Sequence, residues 1–377
     1  MRRTTNSRSR TGNTGLATPG VVTIVSSTPS KTVIAGTPFS LNVTAAGGAA
    51  SGPYQPVTFQ WTKNGLPIPG ATSPSYNVAS ASASDAGSYS LTITSPAGTL
   101  SSPAANVVVE SAVAGNLINL SARAQVGTGD NILIAGFVIA GSGTKNVLVR
   151  GIGPTLAEFG VANYLASPQL NVDNSTQTIF SDTAWGGGAA LAATFAQVGA
   201  FALPPGSADS ALVEPFAPGA YTALVSGTSG TGVALAEIYD ADTGPTTAWL
   251  KNLSVRAQVE TGSGVLIAGF VISGNVPKTV LIRGIGPALT GFGVSGALQQ
   301  PVLSLYNSSS SLMQVDFVWG GEPALASAMS AAGAFSLSPT SGDTAMLVTL
   351  PPGAYTAMVG GANSTTGVGL IEVYEVQ

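Results

Sequence analysis

The stretch VLVRGIGP at residues 147–154 recurs as VLIRGIGP at residues 280–287, and this recurrence decides the architecture of most of the chain. Other segments recur with the same spacing or with one or two residues more. The matched pairs are 120–126 with 253–259, 134–139 with 267–272, 185–187 with 319–321, 218–223 with 352–357, and 237–239 with 372–374. Self-similarity at so long a period indicates a duplicated structural module.

Each copy is a string of short apolar runs separated by turn residues, which predicts β-strands. The chain holds 48 Gly and 24 Pro, too many for long helices. Ala dominates one stretch per copy, Ala189–Val198 and Ala324–Ala332, and predicts one short helix in each. We therefore expect two tandem β-sandwich or jelly-roll-like domains at 116–241 and 249–377, with hinges at 113–115 and 241–247.

The sequence before the repeats has the pattern of a separate β-domain at 20–112. Apolar residues alternate with polar ones around Phe39 and again before Trp61, the period of half-buried strands. Asn64-Gly65 is a tight-turn signal. A DAGSY segment follows at residues 85–89.

These residues resemble an intermediate-type immunoglobulin-like domain. In that family a core Trp packs against a disulfide, and a Tyr ties its hydroxyl back to the backbone. The resemblance implies that Val43 and Leu91 replace the two cysteines, so that packing alone joins the sheets. The implied core set is Val43, Trp61, Asp85, Tyr89 and Leu91.

The two copies resemble uncharacterised duplicated modules found beside immunoglobulin-like domains in large secreted bacterial proteins. That resemblance implies an extracellular or cell-surface location and no known activity. Residues 1–19 are rich in Ser, Thr, Gly and Arg, which predicts a disordered segment. This basic start has no apolar stretch after it, so we do not expect it to be a signal peptide. No apolar run is long enough to span a membrane.

Composition narrows the function further. Only 8% of residues are charged, against a globular average of about 25%. The net charge is −4, which argues against nucleic acid as a partner. The chain has no His and no Cys, which removes the commonest general base, thiolate nucleophile and transition-metal ligands. We expect no enzymatic activity and no cofactor.

Charged residues that recur in both copies are candidates for structural ion pairs. They are Arg123, Arg150, Asp182, Asp209 and Glu237 in the first copy, and Arg256, Arg283, Asp316, Asp343 and Glu372 in the second; Lys145 and Lys278 also match. An alternative makes Asp182, Asp209 and Glu237 an acid/base or calcium-binding carboxylate site. Ion pairs mimic active sites often enough that we favour the structural interpretation.

Two further motifs have a functional and a structural interpretation. The GIGP turn superficially matches a phosphate-binding loop, but Pro154 follows at once and no βαβ pattern surrounds it, so a bulge or tight turn is favoured. Trp185 and Trp319 stand beside Gly-rich loops and could stack on a sugar ring. Burial is the favoured alternative for both, because large aromatic residues are mostly buried.

The predicted function is therefore an extracellular structural or adhesive surface protein. Self-association or contact with other surface proteins is expected, including assembly into a filament or matrix, with residues 1–19 as a donated strand. The alternatives are a glycan-binding module set of a secreted adhesin or carbohydrate-active protein, and a virion decoration protein. A hydrolase that uses carboxylates alone is a third class.

Overall fold

The computed structural model of this chain describes residues 21–47, 57–244 and 246–376. The predicted disordered segment 1–19, and with it the proposed strand donor, lies outside the described residues. The chain forms two compact units that meet between Ala112 and Val113. Nearly all regular structure is β, so the predicted all-β fold is confirmed.

Unit 1 is a sandwich of two sheets. In chain order its strands are β1 Val22–Ser27, β2 Lys31–Ile34, β3 Phe39–Gly47, β4 Thr58–Lys63, β5 Leu66–Pro67, β6 Ser75–Val78, β7 Gly87–Ser95, β8 Gly98–Ser101 and β9 Ala105–Glu110, with a 3-10 turn at Ala83–Asp85. One sheet has the order β1-β3-β6, and the other has the order β2-β9-β7-β4-β5 with β8 beside β7. The immunoglobulin-like prediction for this unit is confirmed.

The core of unit 1 is apolar and contains no disulfide. Trp61 on β4 lies opposite Leu91 on β7, and both belong to one buried cluster with Val43 from the other sheet. The Trp61 Nε1 donates to the Ser73 carbonyl at 2.9 Å. The Tyr89 hydroxyl donates to the Asp85 carbonyl at 2.7 Å, which ties β7 to the turn before it. The residues implied by the family resemblance thus lie together.

Tyr89→Phe tests this tie. Burial, followed by the nearby Tyr76 and Asp85, raises the pKa of Tyr89 from 10.0 to about 12. A raised phenol pKa contributes stability that is complete below the ordinary pKa and is lost as pH rises through the folded value. The variant should lose about 0.5–1.5 kcal/mol near neutral pH. Its stability should also fall less steeply than that of the wild type between pH 10 and pH 12.

Denaturant unfolding of the full chain, followed by near-ultraviolet circular dichroism at several pH values, measures both effects. Tyr164→Phe is the control, because Tyr164 is 37% exposed. An unchanged alkaline slope in Tyr89→Phe would contradict the argument.

Unit 2 holds both repeats. Its strands are β10 Leu117–Val126, β11 Leu133–Gly141, β12 Lys145–Ile152, β13 Pro168–Asp173, β14 Thr178–Asp182, β15 Ser210–Phe216, β16 Gly219–Gly227 and β17 Gly232–Asp240 in copy 1, and β18 Ala248–Val259, β19 Leu266–Ile272, β20 Lys278–Ile285, β21 Pro301–Asn307, β22 Leu312–Asp316, β23 Thr344–Leu350, β24 Gly353–Gly361 and β25 Gly367–Glu375 in copy 2. The helices are α1 Ala189–Gln197 and α2 Pro323–Ala332, and 3-10 segments cover Pro154–Phe159, Gly262–Gly264, Pro287–Phe292 and Ala362–Ser364. One short helix per copy is as predicted.

The two copies exchange strands. The sixteen strands of unit 2 pair in two equivalent series, β15-β12-β17-β10-β19-β24-β21-β22 and β23-β20-β25-β18-β11-β16-β13-β14. Each series takes half of its strands from each copy. The series meet where β10 and β18 run parallel, at Leu117 with Leu250 and at Gln125 with Gln258.

One hydrophobic core consequently serves both copies. Phe137 of copy 1 lies opposite Leu253 of copy 2, and Leu120 lies opposite Phe270. All four side chains belong to the same buried cluster. Burying a side chain of this size contributes about 1.5–3 kcal/mol, so the shared core joins the copies strongly.

This arrangement differs from the expected string of two self-contained sandwiches. The limits 116–241 and 249–377 describe the sequence repeats and stay predictions as domain limits, whereas the structure groups both copies in one unit. Within the expected hinge at 241–247, Asp242 and Thr246 bond Lys145, and Thr247 bonds Ser142. These bonds oppose free movement of the three residues.

Each copy keeps a small core of its own under its helix. In copy 1, Phe195 of α1 packs with Trp185 and the buried face of β12. In copy 2, Met329 of α2 packs with Trp319 in the same way. These satellite cores position the charged groups described next.

Candidate functional site

Arg150 and Glu237, two of the candidate ion-pair residues, pair with each other deep inside copy 1. β12 and β17 place the two residues directly opposite each other. Arg150 Nε donates to Glu237 Oε2 at 2.8 Å, Nη2 makes a second short contact to the same oxygen, and Nη1 donates to the Phe201 carbonyl at 2.7 Å. The guanidinium lies 4.8 Å from the Phe195 ring centre and 4.4 Å from that of Phe201. The Glu237 carboxylate therefore neutralises the charge of Arg150, and the two phenylalanine rings shield the guanidinium from water.

The second oxygen of Glu237 is also occupied. The Tyr239 hydroxyl donates to Oε1 at 2.8 Å, and Ser121 donates to it at 3.2 Å from the neighbouring strand. Burial, and then the Glu237 charge, raises the pKa of Tyr239 far above its ordinary value, so the phenol remains a hydrogen-bond donor. A carboxylate with all its acceptors filled cannot act as a base or nucleophile without first losing a partner.

Copy 2 repeats this cluster. Arg283 Nε donates to Glu372 Oε2 at 2.9 Å and Nη1 donates to the Phe335 carbonyl at 2.6 Å. The Tyr374 hydroxyl donates to Glu372 Oε1 at 2.7 Å. The two copies thus build the same buried ion-pair cluster twice, as expected for a structural device.

Asp209 fastens the GIGP turn of copy 1. Its side chain is fully buried, and Oδ1 accepts from the Gly153 backbone N–H at 2.7 Å. A Cβ on Gly153 would lie 1.9 Å from the Leu165 carbonyl oxygen, so only glycine fits there. The turn that follows β12 is therefore closely packed, and the Asp209 carboxylate fixes its backbone. This agrees with the structural interpretation of the GIGP motif.

Asp343 has the same role in copy 2 with one bond fewer. Asp343 Oδ1 accepts from the Gly286 backbone N–H at 2.7 Å. In copy 1 the Thr155 hydroxyl donates to the other oxygen of Asp209, but copy 2 has Ala288 at the matching place. Asp343 Oδ2 is buried and has no hydrogen-bond partner among the described residues.

This difference predicts opposite effects for two substitutions. Thr155→Ala leaves Asp209 Oδ2 unpaired and should destabilise unit 2 by about 1–3 kcal/mol. Ala288→Thr supplies the missing hydroxyl and should stabilise it by about 1 kcal/mol. Urea unfolding measures both. Ala288→Val has the shape of Thr without the hydroxyl; a gain equal to that of Thr would show that packing, and not the hydrogen bond, is responsible.

Asp182 and Asp316 each accept a hydrogen bond from the backbone of a neighbouring strand. Asp182 Oδ2 accepts from the Ala211 backbone N–H at 2.9 Å, and Asp316 Oδ2 accepts from the Ala345 N–H at 3.0 Å. Burial raises the pKa of Asp316 despite these bonds. Within the described residues Asp182, Asp316, Asp209 and Asp343 all bond backbone N–H groups and form no ion pair, so the ion pairs predicted for these four carboxylates are not found there.

The alternative carboxylate site also finds no support in this geometry. Asp182, Asp209 and Glu237 each serve a different internal group, as described above. Among the described residues, no group of three or more Asp or Glu side chains could hold a metal ion.

Lys145 and Lys278 have partners that the motif comparison missed. Lys145 Nζ lies 2.7 Å from Asp240 and 2.8 Å from Asp242. Burial raises the pKa of Asp242, but the bonds from Lys145 and Asn146 outweigh it and leave that pKa lowered. Lys278 pairs with Glu375 at 2.9 Å, and Glu375 is the copy 2 counterpart of Asp240. The motif comparison ended at Tyr239 and Tyr374, one residue before these two acids.

Trp185 and Trp319 are buried, with 6% and 4% of their surface exposed, so the predicted glycan-platform role is wrong for both. Trp185 Nε1 donates to the Pro204 carbonyl at 3.1 Å, and Trp319 Nε1 donates to the Ser338 carbonyl at 2.9 Å. Each indole anchors a loop against the satellite core of its copy. A ring in this position cannot stack on a sugar.

Arg123 and Arg256 also depart from the prediction. Neither forms an ion pair within the described ranges, because both project from the partly exposed side of β10 and β18. Arg123 lines a cleft of 530 Å³ at the junction of the copies, and Arg256 lines a groove of 440 Å³ at the equivalent junction. Charge matching between copies identified these residues but could not separate exposed cations from buried ones.

The fold and these clusters define an all-β protein with one immunoglobulin-like unit and a duplicated, strand-exchanged unit. No family model matches the sequence. The chain is 48% identical over 67 residues to the Decoration protein of Escherichia phage T5. That match covers 18% of this chain, and the chain spans only 38% of the relative's length.

Solved structures with immunoglobulin domains are similar to parts of the fold. The N-terminal four Ig domains of Dscam1 isoform 4.44 are 22% identical, with 25% of this chain and 21% of that chain covered and a TM-score of 0.20. Sidekick-1 immunoglobulin domains 1–5 are 9% identical, with 93% and 98% covered and a TM-score of 0.22. TM-scores this low add nothing to what the strands of unit 1 themselves establish.

Proposed function

We propose that this chain is a non-catalytic structural protein displayed on the surface of a larger assembly, in the manner of a virion decoration protein. The 48% identity to the phage T5 Decoration protein over 67 residues carries this proposal. It favours the virion alternative over the bacterial matrix or filament protein that the sequence first suggested. Both place the chain outside the cell or on a surface.

The internal charge arrangement supports a role without catalysis. The recurring carboxylates each bond an internal cation, hydroxyl or backbone N–H, as described above. The chain also lacks His and Cys. No described helix is long and apolar enough to cross a membrane. Contact between surfaces is the mode of action that this internal bonding of the carboxylates favours.

Immunogold electron microscopy tests the proposed location. Antibodies raised against the full chain would be applied to native material, both as purified virus-sized particles and as intact cells. We expect gold label on the outer surface of particles, with the protein co-sedimenting with them. Label confined to the cell interior or to the unsedimented fraction would overturn the proposal.

The edge strand β22 is the surface that best fits self-association. It ends its strand series, so one of its backbone edges pairs with none of the described strands. Leu312, Met313, Phe317 and Val318 are exposed on it or just after it. Exposed apolar edges favour pairing with another chain. A second copy of this chain is the proposed partner, because antiparallel pairing of one edge with itself is two-fold symmetric.

Leu312→Lys should therefore weaken self-association by about tenfold or more, since inward or edge charges oppose strand pairing. Sedimentation-velocity runs over a range of concentrations measure it. The matched control is Thr178→Lys, at the equivalent place on β14, which lacks the exposed apolar cluster. Equal effects from both variants would contradict the role of β22.

Glycan binding is a second candidate function. Its predicted tryptophan platforms are buried, so the observation that favours it is the polar cleft beside Arg123.

A further inference from the structure

The cleft beside Arg123 is built from both copies. Arg123 and Gln125 come from β10, and Asn163 follows the 3-10 segment Pro154–Phe159 of copy 1. The opposite wall is the β18–β19 turn of copy 2, which contributes Glu260 and Ser263. The cleft measures 530 Å³, within the range of about 300–1,000 Å³ typical of small-ligand sites.

The lining is rich in hydrogen-bonding groups and balanced in charge. It presents a guanidinium, two amides, the Thr261 and Ser263 hydroxyls and one carboxylate. These supply both donors and acceptors. One cation and one anion leave the cleft without a net charge, which disfavours a polyanionic ligand.

An exposed aromatic ring stands at the same cleft. Phe159 is 59% exposed although it is a large apolar residue. It meets Phe201 edge to face, with ring centres 4.9 Å apart, and Phe201 lies against the Arg150 guanidinium. The Phe159 ring thus packs on Phe201, which in turn packs on the buried ion pair of Arg150. A fixed, exposed ring beside many hydrogen-bonding groups suits a ligand with apolar faces and hydroxyl edges.

We propose that this cleft binds a neutral oligosaccharide. Phe159 stacks on the C–H face of a sugar ring, and the guanidinium, amide, hydroxyl and carboxylate groups bond its hydroxyls. The site rests on the glycan-binding candidate and is independent of the virion location. Failure of sugar binding and failure of the surface label would therefore be separate results.

Copy 2 offers an internal comparison. Phe292 matches Phe159, is 63% exposed and meets Phe335 at 4.8 Å. The groove beside it is lined mainly by apolar side chains such as Ile134, Leu224 and Leu370. This groove has fewer groups that could bond sugar hydroxyls, so we do not expect it to bind a sugar.

Isothermal titration calorimetry of the full chain with maltohexaose, cellohexaose, laminarihexaose and chitohexaose tests the site, with polygalacturonate as the anionic comparison. At least one neutral sugar should bind. Phe159→Ala and Arg123→Met should each weaken that binding by about tenfold or more, while Phe292→Ala leaves it unchanged. Circular dichroism and unfolding midpoints verify that the variants remain folded.

Three results would overturn the proposal. These are no binding of any of the four neutral sugars, binding of polygalacturonate alone, and equal loss in Phe159→Ala and Phe292→Ala. If Phe159→Ala fails to fold, Gln125→Ala takes its place, because Gln125 lies on the partly exposed side of β10.

Discussion

Arg150→Met should lower the free energy of unfolding of unit 2 by about 3–5 kcal/mol, because it leaves Glu237 charged and buried without its cation. Glu237 has only 3% of its surface exposed, so water cannot replace the guanidinium. The two aromatic rings and the Phe201 carbonyl also lose their contacts with Arg150. Urea unfolding of the full chain gives the change in free energy.

Two further variants separate the ion pair from general packing. Arg123→Met changes a partly exposed arginine without an ion pair and should alter stability by less than about 0.5 kcal/mol. Arg150→Met combined with Glu237→Leu removes both charges and should recover much of the loss, because apolar replacement of a buried pair is often nearly neutral. If the double variant is as unstable as Arg150→Met alone, the stranded charge is not the cause.

The sequence predicted the parts of unit 2 that depend on local pattern. Alternating burial along β10 and β18 and the Ala-rich helices follow from the pattern of residues that both copies share. Recurrence also marked Arg150, Glu237, Arg283 and Glu372 as candidates for ion pairs, but it did not say which of them pair. Recurrence alone could not tell which recurring charges are buried. Strand alternation does separate them on β10: Arg123 lies three positions after the buried Leu120 and therefore on the opposite, partly exposed side.

Strand exchange could not be predicted from the sequence. β10 of copy 1 pairs with β19 of copy 2, although β11 of copy 1 has the same IAGFVI segment as β19. Either partner would bury the same side chains in the same register. The choice depends on the connection and on the whole core, which no local pattern records. When two repeats have near-identical strands, the sequence therefore does not determine which strands pair with each other.

Cutting the chain between the copies should leave them together. A specific protease site inserted between Thr243 and Gly244, both exposed, would be cleaved in the folded full chain. The two fragments would still share the pairings of β10 with β19 and β11 with β18 and the core around Phe137 and Phe270. Such an interface resembles a domain core cut in half, so we expect a tight complex.

Size-exclusion chromatography with light scattering measures the result. Before and after cleavage the protein should elute as one species of the same mass, and only denaturant should separate the fragments. The unfolding midpoint of the cut protein should rise with protein concentration, whereas that of the uncut insertion protein should not, because association of two chains obeys mass action. Fragments that separate under native conditions would show that each copy folds alone. The shared core would then contribute little to holding unit 2 together.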